Sequence, residues 1–474
     1  MPYGSVNRIG ARFRTHAVTT SPRAAPTDRV ARRELLRDSL ADLSREQRSG
    51  PRRTALALAG WGVVVVAGVV ALRATGDLVA IGARFPPLHG VWDPRPGARV
   101  LPAIAVALVA VVSLPRWCAA RSWRSVVARA TAAALAWGVS LALIDGRAGL
   151  AGPAQGRREY LAGVARIASP ARFLREFPDN ILDFPVHVQG HPPGYPIVVW
   201  VIDRLGLGAW GVSWLQIVGG VLVVPAVLVA VRAVGGEGFA RAAAPFVAVS
   251  PAAIWLVSSA DAFFAGIGAW GVTCVVLASV SPRRPTATAL AVAGGVLLGV
   301  TAFLSYGLVL LALIPLGVAA QRRTARPIAL ATLGGLLVVG AFALAGFLWV
   351  DGLAATRGRY FDGIASRRPY EAFLVANLAC VAIVAGPAVA VGLARLGDVH
   401  VWALVGGALA AVLVADFSGM SKGEVERIWL PFTVWLLPAC GTLVMGSCPR
   451  ARRTWLALQC GVALLVQVTV RTPW

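Results

Sequence analysis

The chain has 474 residues, of which 57% are hydrophobic and only 14% are charged. A typical soluble domain carries about 25% charged residues, so the composition excludes an ordinary soluble protein and predicts an all-α polytopic integral membrane protein. The net charge of +23 comes almost entirely from arginine, since Lys422 is the one lysine. Most of this charge lies in short loops and at the N-terminus, which favours membrane topology and contact with anionic membrane lipids, and argues against nucleic acid as a partner.

Residues 1–53 form a polar segment with twelve arginines and five acidic residues. We predict a basic cytoplasmic tail. Apolar residues of the stretch 28–48 fall on roughly one side of a helix, so the tail is either an amphipathic helix on anionic lipid or an unstructured segment. The first apolar run begins near residue 54, too far along the chain for a cleaved leader peptide.

Residues 54–474 are predicted to form one transmembrane domain of about thirteen helices, because that many apolar runs approach the length that crosses about 30 Å of hydrocarbon. Clusters of arginine orient the loops and place the N-terminus in the cytoplasm of a multi-pass protein of the plasma (inner) membrane. The runs at 209–231 and 241–257 are predicted to be separate crossings. The stretch 194–205 is too short to cross and is predicted to be a re-entrant or interfacial helix.

On this topology the outer face carries three main polar loops, at 146–193, 351–371 and 416–427. Shorter outer segments lie at 74–99, 258–261 and 304–306. Together these segments contain nearly all the side chains suited to catalysis or binding, whereas the inner loops are short and basic. We therefore predict that the protein works at the outer face.

The first long loop ends in His187-Val-Gln-Gly-His191-Pro192-Pro193-Gly194. Two successive prolines fix an extended corner and remove two backbone donors where the chain enters lipid. The two histidines are four residues apart, as metal ligands on a helix would be, but Gly190 and Pro192 disfavour a helix there. We predict substrate hydrogen bonding or a structural role for His187 and His191, and no metal site.

The loop is long, is predicted to lie outside the membrane, and runs through a His-Pro-Pro corner into it. In this arrangement the chain resembles the membrane glycosyltransferases that use polyprenyl-phosphate sugars, the GT-C-like class. It resembles in particular the mannosyl- and arabinosyltransferases of actinobacterial cell envelopes. The resemblance covers about residues 127–431. It implies an inverting transfer of a pentose or hexose from a polyprenyl-phosphate sugar to an envelope glycan, lipid or protein acceptor. Some members of the class use a divalent cation, Mg²⁺ or Mn²⁺, although this sequence does not require one.

The class carries its catalytic carboxylate in this loop, often within an adjacent acidic pair. Here the matching position reads Arg158-Glu159-Tyr160. Such a transfer needs a base for the acceptor hydroxyl, and the resemblance makes Glu159 the first candidate, followed by Asp183 and Asp179. Tyr160 is a candidate substrate contact. The alternative for each of the carboxylates is an ordinary solvated loop residue.

The turn at 258–261 is predicted to be the outer tip of a helical hairpin. Asp261 is ionisable at the membrane edge and looks like the class's acidic residue at the tip of this hairpin. The alternative is an N-cap for a helix that begins near Ala262. Tyr306, at the next outer turn, is either a substrate contact or an interfacial aromatic residue.

The loop 351–371 carries four arginines on the outer face, against the positive-inside trend. Guanidinium groups match phosphate oxygens, so we predict that Arg359 and Arg368, with Tyr370, bind the phosphate of a lipid-linked donor. The alternative is contact with lipid headgroups or pairing with the neighbouring acids Asp351, Asp362 and Glu371.

The loop 416–427 is dense in polar residues and opens directly into a helix. Lys422 and Arg427 add two cations to the predicted outer face and strengthen the prediction of an anion site. Arg427, followed by Trp429 and Pro431, resembles the charged entry to a late helix in these transferases. The alternative is an ordinary charged turn with an interfacial tryptophan.

Two other functions stay open at this stage. A transporter or flippase of lipid-linked sugars would also need outer arginines, but it should place ionisable groups near the middle of the membrane. A non-catalytic envelope assembly protein would keep the fold with a degraded site, and Arg158 in place of an acidic residue is the feature that favours it.

Overall fold

A computed structural model describes the backbone from Arg29 to Pro473, except Gly446, and the side chains from Gly50 onward with the same exception. The chain divides into two units, residues 1–52 and 53–474. The backbone of residues 29–49 is helical. The first 28 residues lie outside the described part of the chain, as do the side chains that would form the amphipathic face of the tail.

The described chain is almost entirely helical, with one two-stranded sheet. The α-helices are α1 Arg29–Arg73, α2 Leu101–Ala120, α3 Trp123–Ala142, α4 Ala148–Ala151, α5 Pro170–Glu176, α6 Val186–Gln189, α7 Gly194–Arg204, α8 Gly208–Ala248, α9 Ala260–Val280, α10 Arg284–Ala302, α11 Leu313–Gln321, α12 Arg326–Leu344, α13 Trp349–Asp362, α14 Tyr370–Ala385, α15 Pro387–Arg395, α16 Val399–Phe417, α17 Val425–Ile428, α18 Leu430–Thr433 and α19 Pro449–Thr469. The strands are β1 Val91–Trp92 and β2 Val470–Arg471. Short 3₁₀ segments connect them, among them Tyr160–Arg166, Pro251–Ile254, Tyr306–Ala312 and Leu437–Leu443.

The protein is a polytopic membrane protein of all-α fold, as its composition predicts. Eight helices in the described residues are long and apolar enough to cross a membrane, and α14 with α15, bent by 91°, makes a ninth if the pair is one span. Two shorter apolar helices lie at Tyr306–Gln321 and Leu430–Leu443. The figure of about thirteen crossings remains a prediction. The helix predicted at 194–205 is present as α7, and its position relative to the membrane remains a prediction too.

Element α8, of 41 residues, contains the run predicted at 209–231 and the first half of the run predicted at 241–257. That these two runs are separate crossings remains a prediction. The length of α8 is about 60 Å at 1.5 Å per residue, twice the hydrocarbon thickness. Gly236 breaks it, with φ 82° and ψ 166°, a conformation that glycine adopts without a steric penalty. The second half of the element ends at Ala248 and is followed by the 3₁₀ turn Pro251–Ile254.

Helices α10 and α12 pack with their backbones in close contact. A Cβ added at Gly295 would lie 1.9 Å from the carbonyl oxygen of Ala331, and one at Gly334 would lie 2.4 Å from that of Val292. In a membrane, where lipid is as apolar as the helix surface, this close packing by small residues is a main source of association. The glycines therefore set the distance between these two helices.

Hydrogen bonds gather the predicted outer segments at one end of the helical bundle. The amide of Gly194 donates to the carbonyl of Phe303 at 3.0 Å, and the amide of Lys422 donates to the hydroxyl of Tyr360 at 2.7 Å. The amide of His89 donates to Glu426 at 3.0 Å. Loops that are far apart in sequence therefore meet, and any site built from them lies at this end.

Strands β1 and β2 join the C-terminus to the segment before α2. They pair antiparallel, with Val91 opposite Arg471. Beside them the amide of Arg95 donates to the carbonyl of Val468 at 2.8 Å. This pairing attaches the end of the chain to the same end of the bundle as the predicted outer loops.

Substitution Gly295→Val should destabilise the protein by about 1–3 kcal/mol, because the new side chain would force α10 away from Ala331. The matched control is Gly340→Val in α12, where an added Cβ meets no atom within 4 Å. Thermal unfolding in neutral detergent measures both. Equal melting temperatures for the two variants would contradict close packing at Gly295.

Candidate active site

Arg427 is a buried cation that joins separate segments of the chain. Its side chain is 4% exposed, and that of Asp261 is 1% exposed. Nη1 donates to Oδ2 of Asp261 at 2.7 Å, and Nη2 donates to Oε2 of Glu424 at 2.9 Å. Because a buried charge is stable only when paired and hydrogen-bonded, this arrangement fixes the hairpin tip before α9 against the late loop at 416–427.

Asp261 lies inside the first turn of α9. The helix begins at Ala260, and Ser259 occupies the N-cap position. The carboxylate is therefore directed to Arg427, while it also lies at the end of the helix where the macrodipole favours negative charge. The pairing with Arg427, which the sequence did not indicate, accounts for an acidic residue at the hairpin tip.

Glu159 and His187 extend the cluster into the first long loop. Nδ1 of His187 lies 2.9 Å from Oε1 of Glu159, and both side chains are largely buried. Nε2 of His187 lies 3.3 Å from Nη2 of Arg427. The structure thus brings Glu159, His187, Asp261 and Arg427 into one connected group. His187 lies on the one-turn helix α6, which ends before Gly190, so no helix joins His187 to His191, as Gly190 and Pro192 predicted.

An aromatic layer lies behind this group. The ring of Tyr160 stands edge-on to that of Tyr195, with 4.7 Å between centroids, and to that of His191 at 5.6 Å. Nδ1 of His191 is 2.8 Å from the carbonyl oxygen of His187. Burial is the main reason that the pKa of His191 falls to about 4, so this imidazole is uncharged at neutral pH. The layer is a rigid support for His187.

A cavity of about 220 Å³ opens in front of the cluster. Its wall carries four basic side chains, those of Arg359, Arg368, Lys422 and Arg427. His187, His191 and Tyr306 also line it, together with apolar and aromatic residues that include Leu308, Ile364, Trp429 and Phe432. Of the carboxylates described in the structure, Glu424 alone forms part of this wall. The lining of the cavity thus combines cationic and apolar side chains.

Three of the four cations are held by carbonyl and amide oxygens. Nε of Arg368 donates to the carbonyl of Ile81 at 2.9 Å, and its Nη1 donates to the carbonyl of Lys422. Nζ of Lys422 donates to the carbonyls of Ala365 and Arg368, each at 3.0 Å. Nε of Arg359 donates to the amide oxygen of Gln189. These hydrogen bonds to neutral partners hold the three groups in place.

The alternative pairing predicted for the loop 351–371 is absent from the described residues. No ion pair there joins an arginine to Asp351, Asp362 or Glu371. The acidic group nearest to Arg368 is instead Glu424, at 3.9 Å. The arginines of this loop face the cavity or solvent.

Sequence reasoning did not single out Glu424, Glu426 or His89. Glu424 has φ 62°, which is uncommon for a residue other than glycine and is often found at functional sites. Burial raises the pKa of Glu424, but Arg427, His89 and Arg368 outweigh that effect and hold the pKa well below its usual range. Glu426 is fully buried behind it. The positive φ and the contact between residues 89 and 426 have no signal in the sequence.

Three predicted site residues lie away from the cavity. Asp179 is exposed on the long loop. Asp183 is exposed as well and faces a separate surface cavity beside Arg172 and Glu176. The hydroxyl of Tyr370 donates to the carbonyl of Phe417 at 3.0 Å, and the residue does not line the cavity. Their roles remain predictions.

A divalent cation does not fit the described residues. No three histidine, cysteine or acidic side chains among them converge as a metal-binding group, and Asp261 and Glu424 are engaged by Arg427. We therefore assign no step to a metal ion.

A larger cavity of about 770 Å³ lies beside the C-terminal strand and is lined by Arg95, Arg99, Asp145 and Arg471. It is wider than the first, but it contains none of the predicted site residues, and Arg95 in its wall is paired with Asp145. The smaller cavity is the better candidate because the perturbed and predicted groups converge there.

Comparisons with known proteins give limited help. No family model matches the sequence, and no curated protein does. Among solved structures, ArnT from Cupriavidus metallidurans in the apo state is similar with a TM-score of 0.39 and 16% identity, over 60% of this chain. The match spans little more than half of that protein, 56% of its length. A likeness this distant assigns no function, so the proposal below rests on the site itself.

Substitution Arg427→Gln should lower the free energy of unfolding by about 3–5 kcal/mol, since it leaves the carboxylate of Asp261 buried without a cation. Adding Asp261→Asn to the same chain should recover part of the loss. Arg471→Gln is the control, because it breaks an exposed pair with Asp93 and should cost less than about 1 kcal/mol. Equal losses for Arg427→Gln and Arg471→Gln would contradict a buried pair.

Substitution Glu426→Gln should remove a pH dependence of stability. Burial raises the pKa of Glu426 from 4.5 to about 7, so the protonated form stabilises the folded protein below pH 4.5 and this contribution is lost as the pH rises through 7. The wild type should lose on the order of 3 kcal/mol relative to the variant across that window. Melting temperatures at pH 5 and pH 8 test this, and parallel pH profiles would refute it.

Proposed function

We propose that the protein is a membrane glycosyltransferase of the GT-C-like class. It would move a sugar from a polyprenyl-phosphate donor to a cell-envelope glycan or lipid at the outer face of the plasma membrane. The observation that carries the proposal is the cavity, whose lining combines four basic side chains with apolar ones. A phosphate attached to a prenyl chain is complementary to both kinds of side chain.

The basic side chains suit the leaving group of such a reaction. When the bond between the sugar and the phosphate breaks, negative charge grows on the departing phosphate oxygen. Arg359 and Lys422 line the cavity and are held by neutral oxygens, so their charge is available to that oxygen. Charge that is already oriented before reaction stabilises a transition state without reorganisation.

The apolar part of the lining suits the lipid part of the donor. It includes Leu308, Ile364, Trp429 and Phe432. Leu308 and Phe432 belong to the two short apolar helices, Tyr306–Gln321 and Leu430–Leu443. A prenyl chain could therefore leave the cavity towards the membrane while its phosphate stays near the cations.

Glu159 is the carboxylate that we retain for catalysis, because it belongs to the connected group behind the cavity. Asp183 and Asp179 are exposed outside the cavity and remain alternatives to it. We propose a single displacement at the anomeric carbon, with inversion, in which Arg427 and Asp261 keep the cluster together. His191 and Tyr160 support it from behind.

The proposal can be tested with purified protein in lipid nanodiscs. The protein is supplied with radiolabelled pentosyl and hexosyl polyprenyl phosphates and with a crude envelope acceptor fraction. Transfer of label that is lost in Glu159→Gln supports a transferase. Donor binding without any transfer would overturn the proposal in favour of a transporter of lipid-linked sugars or a non-catalytic assembly protein. Arg158, in place of an acidic residue, is the feature that favours the assembly protein.

Substitutions Arg359→Gln and Lys422→Met should each raise the KM for the donor about tenfold, since each removes a charge-assisted contact of about 1.5 kcal/mol with the phosphate. Arg357→Gln is the matched control, because Arg357 lies on the same helix as Arg359 but is exposed and outside the cavity. A similar rise in KM for all three variants would indicate a general loss of surface charge.

A further inference from the structure

We propose that the hydroxyls of Tyr306 and Thr356 form a subsite that binds a hydroxyl group of the transferred sugar. The inference rests on the proposed transferase function. It adds a contact for the sugar to the contacts proposed for the phosphate and the prenyl chain. It also gives a role to Thr356, which the sequence did not indicate.

Both side chains are buried, and both line the cavity. Tyr306 is 8% exposed and Thr356 is 5% exposed. In the part of the chain that the structure describes, neither hydroxyl has a hydrogen-bond partner elsewhere, and the two lie close enough to interact with each other. Even when one hydroxyl donates to the other, a donor and several lone pairs remain unused. Unused polar groups in a buried place are uncommon and costly, so a ligand that pairs with them is favoured.

The neighbours of Tyr306 fix the position of the phenol. Its ring stands edge-on to that of Trp349, with 5.3 Å between centroids, and Nε1 of Trp349 donates to the carbonyl of Ala302 at 2.9 Å. Gly352 leaves room for the hydroxyl, because a Cβ added there would lie 2.5 Å from the phenol oxygen. Residues 352 and 356 are four apart and share one face of α13. The phenol oxygen and Thr356 therefore lie on the same side of this helix.

Helix α13 also places the two hydroxyls next to the cations. Thr356 and Arg359 both line the cavity and are three residues apart, which is about 4.5 Å along the helix axis. Lys422 lies beyond Arg359, because its amide donates to the hydroxyl of Tyr360 at 2.7 Å and its Nζ donates to the carbonyl of Ala365 at 3.0 Å. A phosphate held by these cations would have the two hydroxyls on one side, within reach of the sugar that it carries.

The chemistry of the two hydroxyls fits a sugar better than it fits the other parts of the donor. A prenyl chain offers no hydrogen bond and would leave both groups unpaired in an apolar place. The phosphate is an anion, which the guanidinium and ammonium groups of the cavity match more closely. A sugar hydroxyl both donates and accepts, so one such group can pair with both side chains.

Binding measurements with the full chain in neutral detergent test the inference. The ligands are a pentosyl and a hexosyl polyprenyl phosphate and, for comparison, polyprenyl phosphate without a sugar. Tyr306→Phe and Thr356→Val should each raise the Kd of the sugar-bearing ligand about fivefold, the effect of one lost hydrogen bond, and leave the Kd of polyprenyl phosphate within twofold. Arg359→Gln should raise both Kd values, because both ligands carry the phosphate.

Stability measurements separate binding from a structural role. Because neither hydroxyl has a partner elsewhere in the described residues, its removal should leave the melting temperature of the ligand-free protein unchanged or raise it. Thr454→Val is the matched control, since Thr454 is exposed outside the cavity and donates to the carbonyl of Arg450, and it should alter neither Kd. Lower melting temperatures for both cavity variants, or an equal rise in Kd for both ligands, would overturn the inference.

Donor analogues that lack one hydroxyl identify the group that is bound. For the analogue that lacks this group, Tyr306→Phe should raise the Kd less than twofold further, whereas the other analogues should show the full fivefold rise. A full rise for every analogue would contradict a sugar contact at Tyr306. Absence of transfer by the wild type in nanodiscs would instead overturn the proposed function, so the two failures are distinguishable.

Discussion

The arrangement of the whole site depends on the neutralisation of one guanidinium at the edge of an apolar helical bundle. Arg427 is nearly inaccessible to solvent, and the energy of a lone buried charge is high enough that the chain must bring carboxylates to it. Asp261 comes from the hairpin before α9 and Glu424 from the turn before α17. Once these are fixed, the position of His187 and of Glu159 behind it follows, and so does the shape of the cavity.

The sequence predicted those parts of the architecture that depend on hydropathy, which is a local property of each segment. The all-α fold and the short helix at Gly194–Arg204 were therefore recognisable. Details that depend on local backbone geometry were not indicated by hydropathy. Gly236 breaks element α8 after the first of its two apolar runs, and α6 makes one helical turn between Pro185 and Gly190. The periodicity of apolar residues and the helix preference of each residue type are averages over a segment. They therefore do not show what a single residue does to the backbone.

The candidate site was predictable residue by residue but not as a set. Glu159, His187, Asp261 and Arg427 were each identified from the chemistry of their side chains, yet nothing in the sequence indicated that they touch. His89 and Glu426 are 337 positions apart and were missed, since only the folded chain places one on the other. Asp179 and Asp183 lie in the same loop as Glu159 but outside the cavity lining, which the sequence did not indicate.

The late position of the segment 416–429 in the chain has a consequence for biosynthesis. The helices that precede it enter the membrane first, with the carboxylates of Glu159 and Asp261 already at the membrane edge and no guanidinium beside them. The site closes only when this segment has arrived. A chain truncated before Arg427 would therefore be inserted yet incomplete, with unpaired acidic groups that a membrane quality-control protease could recognise.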